Sequence, residues 1–197
     1  EVRTRTGGAT GEVAADLHQK FADIVRWAIR LKPKPSYELR LVGDYQRWSQ
    51  LDRQCVSGRD TACSVNADGS APPGSGLIAN QQMDFKDTFG VRLGASYWFT
   101  PSWETFLSLG YDSNAIPGRT LSPLVLDGND ISITAGARVS LGSRFGLLFS
   151  LTQVQWLARD IQSQLDRPKP PTRLPSASGE YKQWATLLDL LFEVAFD

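Results

Sequence analysis

The sequence predicts an all-β fold and, within that class, a transmembrane antiparallel up-and-down β-barrel. Three observations carry this. Apolar and polar residues alternate strictly over segments of about ten residues, longer than the usual strand of about 5–6 and matched to the tilted strands of about 9–11 residues that cross a bilayer. Aromatic residues stand at or near the ends of the apolar rows, where interfacial girdles lie. Short and long connections alternate along the chain, as in outer-membrane barrels, which place short turns on the periplasmic side and long loops outside.

The pattern is clearest between Phe85 and Asp130, where two alternating segments are separated only by Thr100-Pro101-Ser102. In the first, Phe89, Val91, Leu93, Ala95, Tyr97 and Phe99 share one face, and Gly90, Arg92, Gly94, Ser96 and Trp98 share the other. After the turn, Trp103, Thr105, Leu107, Leu109 and Tyr111 alternate with Glu104, Phe106, Ser108, Gly110 and Asp112. The rows with Arg, Glu, Ser and Gly suit a polar lumen, and the apolar rows suit lipid. This pair reads as a transmembrane hairpin.

Seven strands are expected in all, at about residues 21–32, 37–48, 88–99, 103–112, 131–141, 145–156 and 184–196. Residues 1–20 read as the end of a preceding strand followed by a loop, and residues 21–197 as part of the barrel wall. Pro33–Ser36, Thr100–Ser102 and Gly142–Arg144 are the short breaks. Ser49–Asp84, Ser113–Asp130 and Ala158–Glu180 are the long loops, rich in Pro, Gly and polar residues. This phase puts the short turns and the C-terminus in the periplasm, after a last strand with an aromatic at the penultimate position, Phe196. A soluble β-sandwich also alternates, but its strands are usually shorter and its connections keep no strict phase. An open seven-stranded wall leaves two unpaired edges, which hydrocarbon does not tolerate. The rest of the barrel is therefore expected from upstream sequence or from another chain.

Composition is consistent with this reading and narrows the function. The chain has 197 residues with 21 basic and 21 acidic side chains, so no basic footprint points to nucleic acid. No apolar run approaches the length of a helical membrane span. Glu1 onward shows no basic region followed by an apolar stretch, so no signal peptide is read there. Cys55 and Cys63 lie in one polar loop and read as a local disulfide, which implies an oxidising compartment such as the periplasm. Two thiols and a distant lone histidine, His18, are poor material for a metal site. No cofactor is expected. A barrel phospholipase would need a serine within reach of His18, and no motif supplies one, so no enzyme is read. Lumen-facing Arg26, Arg40, Arg92 and Arg138 are candidate ligands for a carboxylate head group. The plainer alternative pairs them with Glu38, Asp44, Glu104 and Asp112 inside the barrel.

Several phrases resemble the FadL/TodX family of outer-membrane transport proteins. They are Phe85-Lys86-Asp87-Thr88 opening a strand, Tyr97-Trp98-Phe99 closing it, Tyr111-Asp112-Ser113, Ile116-Pro117 and Arg119-Thr120, with Tyr37–Ser49 resembling the preceding strand. Asn114-Ala115 interrupts one family phrase, and Asp130 stands where the family has an arginine. The resemblance implies a fourteen-stranded barrel in the outer membrane of a Gram-negative bacterium, of which this chain supplies about seven strands, the C-terminal half, over residues 21–197. It implies passive uptake of hydrophobic compounds such as long-chain fatty acids or aromatic hydrocarbons, with the small-molecule substrate and outer-membrane lipid as partners. Arg92, Trp98, Phe106 and Arg138 are the lumen residues expected to meet substrate. The alternative function is a structural or adhesive barrel whose long outer loops bind a partner.

Overall fold

The computed structural model describes residues 2–6, 9–66, 70–122, 125–161 and 178–195. Phe196, named above as the terminal aromatic, lies outside the described residues. The strands are β1 (Val2–Thr6), β2 (Ala9–Val13), β3 (Ala15–Gln19), β4 (Ile24–Lys34), β5 (Tyr37–Gln46), β6 (Arg53–Gly58), β7 (Leu77–Gln82), β8 (Thr88–Thr100), β9 (Trp103–Asp112), β10 (Asp130–Leu141), β11 (Phe145–Trp156), β12 (Arg159–Asp160), β13 (Glu180–Tyr181) and β14 (Trp184–Val194). The only helical turn among the described residues is the 3₁₀ segment Trp48–Gln50.

Seven of these strands form one sheet in the order β14-β11-β10-β9-β8-β5-β4. Every neighbouring pair is antiparallel, so the sheet is a meander that follows chain order and omits only the small strands of the loops. The sheet is open, as expected for part of a barrel. Strand register lines up the alternation across it. One row joins Ile29, Leu41, Leu93, Leu109 and Ile133. The next joins Leu31, Leu39, Ala95, Leu107, Ala135, Leu151 and Leu188. A one-residue slip anywhere would move a whole strand's side chains to the other face. Pro33 is tolerated in β4 because the register is irregular between Leu31 and Lys34 and the strand is an edge.

The sheet's two faces are inverted relative to a soluble domain. Leu93, Leu107 and Ile133 are 53%, 49% and 46% exposed, whereas Glu38, Asp44, Ser96 and Ser150 on the other face are buried. Buried polar groups and a contiguous exposed apolar face are the informative departures from the usual distribution.

The apolar core among the described residues lies in the loops instead. Ile116, Leu121 and Ile161 pack together, with Phe85, Ala115 and Tyr181 against them. The Asp127 carboxylate accepts the backbone N–H groups of Ala115 and Ile116 at 2.7 and 2.6 Å. Arg159 donates to the carbonyls of Asp127 and Ile116, both at 2.6 Å. The long connections therefore fold onto one another.

Two loop expectations are corrected. Residues 1–20 are not simply a strand end and a loop: β1 and β2 form a hairpin, and β3 joins β6 and β7 in a three-stranded sheet. Ser49–Asp84 likewise contains β6 and β7. Strands of five or six mostly polar residues carry too little alternation to be read locally, and β3 pairs with a segment far along the chain. The disulfide between Cys55 and Cys63 is formed and ties β6 to the loop that follows.

Close packing on the inner face depends on missing side chains. A Cβ at Gly136 would lie 2.4 Å from the Phe106 ring and 2.5 Å from the Phe149 carbonyl oxygen. Phe106 can lie across the sheet only because Gly136 faces it. Gly136→Ala is expected to lower unfolding stability by on the order of 1–3 kcal/mol, the usual range for overpacking. Urea titration of the folded barrel checks this; an unchanged midpoint would show that the two strands separate at no cost.

Candidate functional site on the inner face

The inner face is built from alternate residues of the seven strands of the large sheet, and most of its charged side chains are matched across strands. Glu38 is fully buried between Arg30, at 2.5 Å, and Arg40, which bonds it through Nε. Arg92 is held by Asp44 at 3.1 Å and by both oxygens of Asp112 at 2.8 and 2.7 Å. Gly90 stands between those carboxylates in register, and a Cβ there would lie 2.4 Å from Asp112 Oδ1 and 2.8 Å from Asp44 Oδ2. The glycine lets two acids converge on one guanidinium. Arg138 bonds Glu193 at 3.0 Å, although its register partner on β9 is Glu104. A polar face of low dielectric favours such pairing, and removing one partner is costlier than the pair is worth.

These side chains surround a cavity of about 360 Å³, within the range of about 300–1,000 Å³ usual for small-molecule sites. Arg40, Arg92, Arg138, Glu104, Phe106, Val42 and Leu148 line it. Of the four lumen residues singled out from sequence, Arg92, Phe106 and Arg138 are thus brought to one cavity. Trp98 is on the same face but outside that lining, and its ring carries the Lys32 ammonium 4.6 Å from the centroid. Arg26 makes no ion pair among the described residues. Sequence reasoning did not single out Arg30, Lys32 or Glu193 for this face, and it matched Arg138 to no particular acid. Alternation marks them as inward, but only the register of β14 on β11 brings Glu193 within reach of Arg138.

At the rim, the loops are fastened to the sheet through the Phe85–Thr88 phrase. Asp87 accepts the Tyr45 hydroxyl at 2.5 Å and the Ser49 backbone N–H at 2.9 Å. The Tyr45 bond, then those from Ser49, hold its carboxyl below the usual carboxylate range.

A second polar cluster lies in the small loop sheet. His18 Nε2 is 3.0 Å from Ser57 Oγ, a contact made by the β3–β6 register and invisible in the sequence. The Ser57 hydroxyl donates to the Thr61 carbonyl at 2.6 Å, so the imidazole is the donor to Oγ. Ser57 has no exposed surface. A serine with its proton committed to a carbonyl and its oxygen shielded is arranged as a structural link, not as a nucleophile.

The Asp87 tie has a pH consequence. Because folding lowers this pKa, the tie contributes stability above the ordinary carboxylate pKa and loses it as pH falls through the lowered value. A carbon-detected titration of Asp87 is expected to give a midpoint below that of a free aspartate, and Tyr45→Phe should raise it. An unmoved midpoint in the Tyr45→Phe variant would show that the hydroxyl does not hold the carboxylate.

No family model and no curated protein matches the chain. Among solved structures, the crystal structure of a Pseudomonas aeruginosa FadL homologue is similar, with a TM-score of 0.65 over 90% of this chain at 10% sequence identity. The chain spans 36% of the length of that protein. At that identity the likeness shows the fold: the open seven-stranded meander has the architecture of part of that FadL homologue.

Proposed function

We propose that this chain forms about half the wall of an outer-membrane channel through which hydrophobic compounds, such as long-chain fatty acids or aromatic hydrocarbons, diffuse passively. The observation that carries this reading is the sheet's two-sidedness, with an exposed apolar outer face and an inner face on which charged side chains are paired around a cavity. The FadL-homologue likeness supports the barrel half of the reading through the fold alone. In this scheme Arg92, Phe106 and Arg138 line the path and Trp98 flanks it. Apolar solute gains about 0.8 kcal/mol per methylene withdrawn from water, so transport needs no covalent step.

The remaining wall follows from strand parity. β4 and β14 run in the same direction, because five strands lie between them in strict antiparallel succession. Antiparallel closure at both edges therefore takes an odd number of further strands. A second copy of this sheet in the same membrane orientation would meet each edge in parallel. The completing strands are accordingly a different segment, elsewhere in the same polypeptide or on another chain.

Two measurements test the proposal. Short turns should face the periplasm and long loops the exterior, so a cysteine at Ser75 should react with an impermeant reagent on intact cells and one at Ser143 should not. The reverse pattern would overturn the orientation. The completed barrel in liposomes should bind or pass fatty acids more strongly as the chain lengthens, and Arg92→Ala should weaken acids more than neutral hydrocarbons. Neither occupancy nor uptake across the series would replace the channel with a structural barrel whose loops bind a partner.

A further inference from the structure

Resting on the channel reading, we propose that the inner cavity also takes an amphiphile with a protonated amine head, held by Glu104. The arginines lining the cavity already face carboxylates: Arg92 two of them, Arg138 Glu193, and Arg40 Glu38. Glu104 also lines the cavity, half-buried, and makes no ion pair or hydrogen bond among the described residues. A carboxylate in such a place favours a cation that arrives with a ligand, because charge-assisted bonds to an ammonium are the stronger ones. Arg138 and Lys32 are turned elsewhere. Arg138 is turned to Glu193, and Lys32 is seated on the ring of Trp98, which pairs with Glu104 across β8 and β9.

The same geometry shows how the head would be received. The Trp98 ring, outside the cavity lining, is taken by the Lys32 ammonium, so the head is received by the Glu104 carboxylate. Phe106 lies two residues along the same face of β9, against Gly136, with Val42 and Leu148 also lining the cavity. A head at Glu104 would therefore place its aliphatic tail over apolar side chains. The competing arrangement is a carboxylate head on the terminal nitrogens of Arg40, since that side chain bonds Glu38 through Nε alone.

The test compares octylammonium, octanoate and octanol for binding to the completed barrel in detergent by calorimetry, with folding checked by heat-modifiable electrophoretic mobility. Octylammonium should bind about tenfold more tightly than octanol, the scale of one charge-assisted hydrogen bond. Glu104→Gln should remove the difference between octylammonium and octanol, while Glu104→Asp should keep most of it. On the unsubstituted protein, high salt should weaken octylammonium and spare octanol, so the claim does not depend on any variant folding. Octanol binding with no advantage for octylammonium, or with octanoate the tightest, overturns the Glu104 assignment and leaves the channel standing. Failure of all three to bind overturns both.

Discussion

Along β4 and β14 run two rows of backbone N–H and C=O groups that no strand among the described residues pairs, and much of the structure depends on how they are satisfied. In water such edges are a liability for aggregation. In hydrocarbon each unsatisfied group costs several kcal/mol, which leaves closure as the workable solution for a spanning sheet. On the proposed reading the apolar rows through Leu93 and Leu107 face lipid, and the inner face with its ionic network is the lumen of the completed barrel.

The network does more to fix register than to attract ligands. Glu38 is shared by two arginines, Arg92 by two aspartates, and Arg138 reaches across β11 to β14 for Glu193. Apart from Arg40–Glu38, which lies within β5, each contact spans strands whose register it would lose on a slip of one residue. Matching carboxylates to arginines neutralises most of the charge on the inner face, and in the proposed channel a solute would meet Phe106, Val42 and Leu148 beside those pairs. The glycines belong to the same design. Gly90 admits two carboxylates to Arg92, and Gly136 admits the Phe106 ring.

The long strands were legible because alternation over ten residues is a strong local signal. β9 and β11 begin and end where the pattern does. β4 starts at Ile24 and not at Phe21, because Asp23 is drawn off to Arg47 and Gln50. The loop sheet was not legible: β3 finds β6 about forty residues away, and short polar strands carry no period. At the inner face, alternation identified Arg26, Arg40, Arg92 and Arg138 as inward and named Glu38, Asp44, Glu104 and Asp112 as partners; Glu38, Asp44 and Asp112 are paired, whereas Glu104 and Arg26 make no ion pair among the described residues. Alternation could not give Arg138 its partner. Glu104 is opposite in register, yet Glu193 makes the bond, and that choice depends on side-chain reach across β11.

The central claim is that the face through Leu93, Leu107 and Ile133 lies against lipid, and its most direct test is an arginine placed on each face in turn. For the completed barrel folding into bilayers, arginine at Leu93, Leu107 or Ile133 is predicted to cost on the order of 2–4 kcal/mol near the midplane. Arginine at Ser96, Ser108 or Thr134 should cost distinctly less, because those side chains share the inner face. Equal tolerance on the two faces, or a larger penalty at the serines and threonine, would contradict the assignment of lipid and lumen.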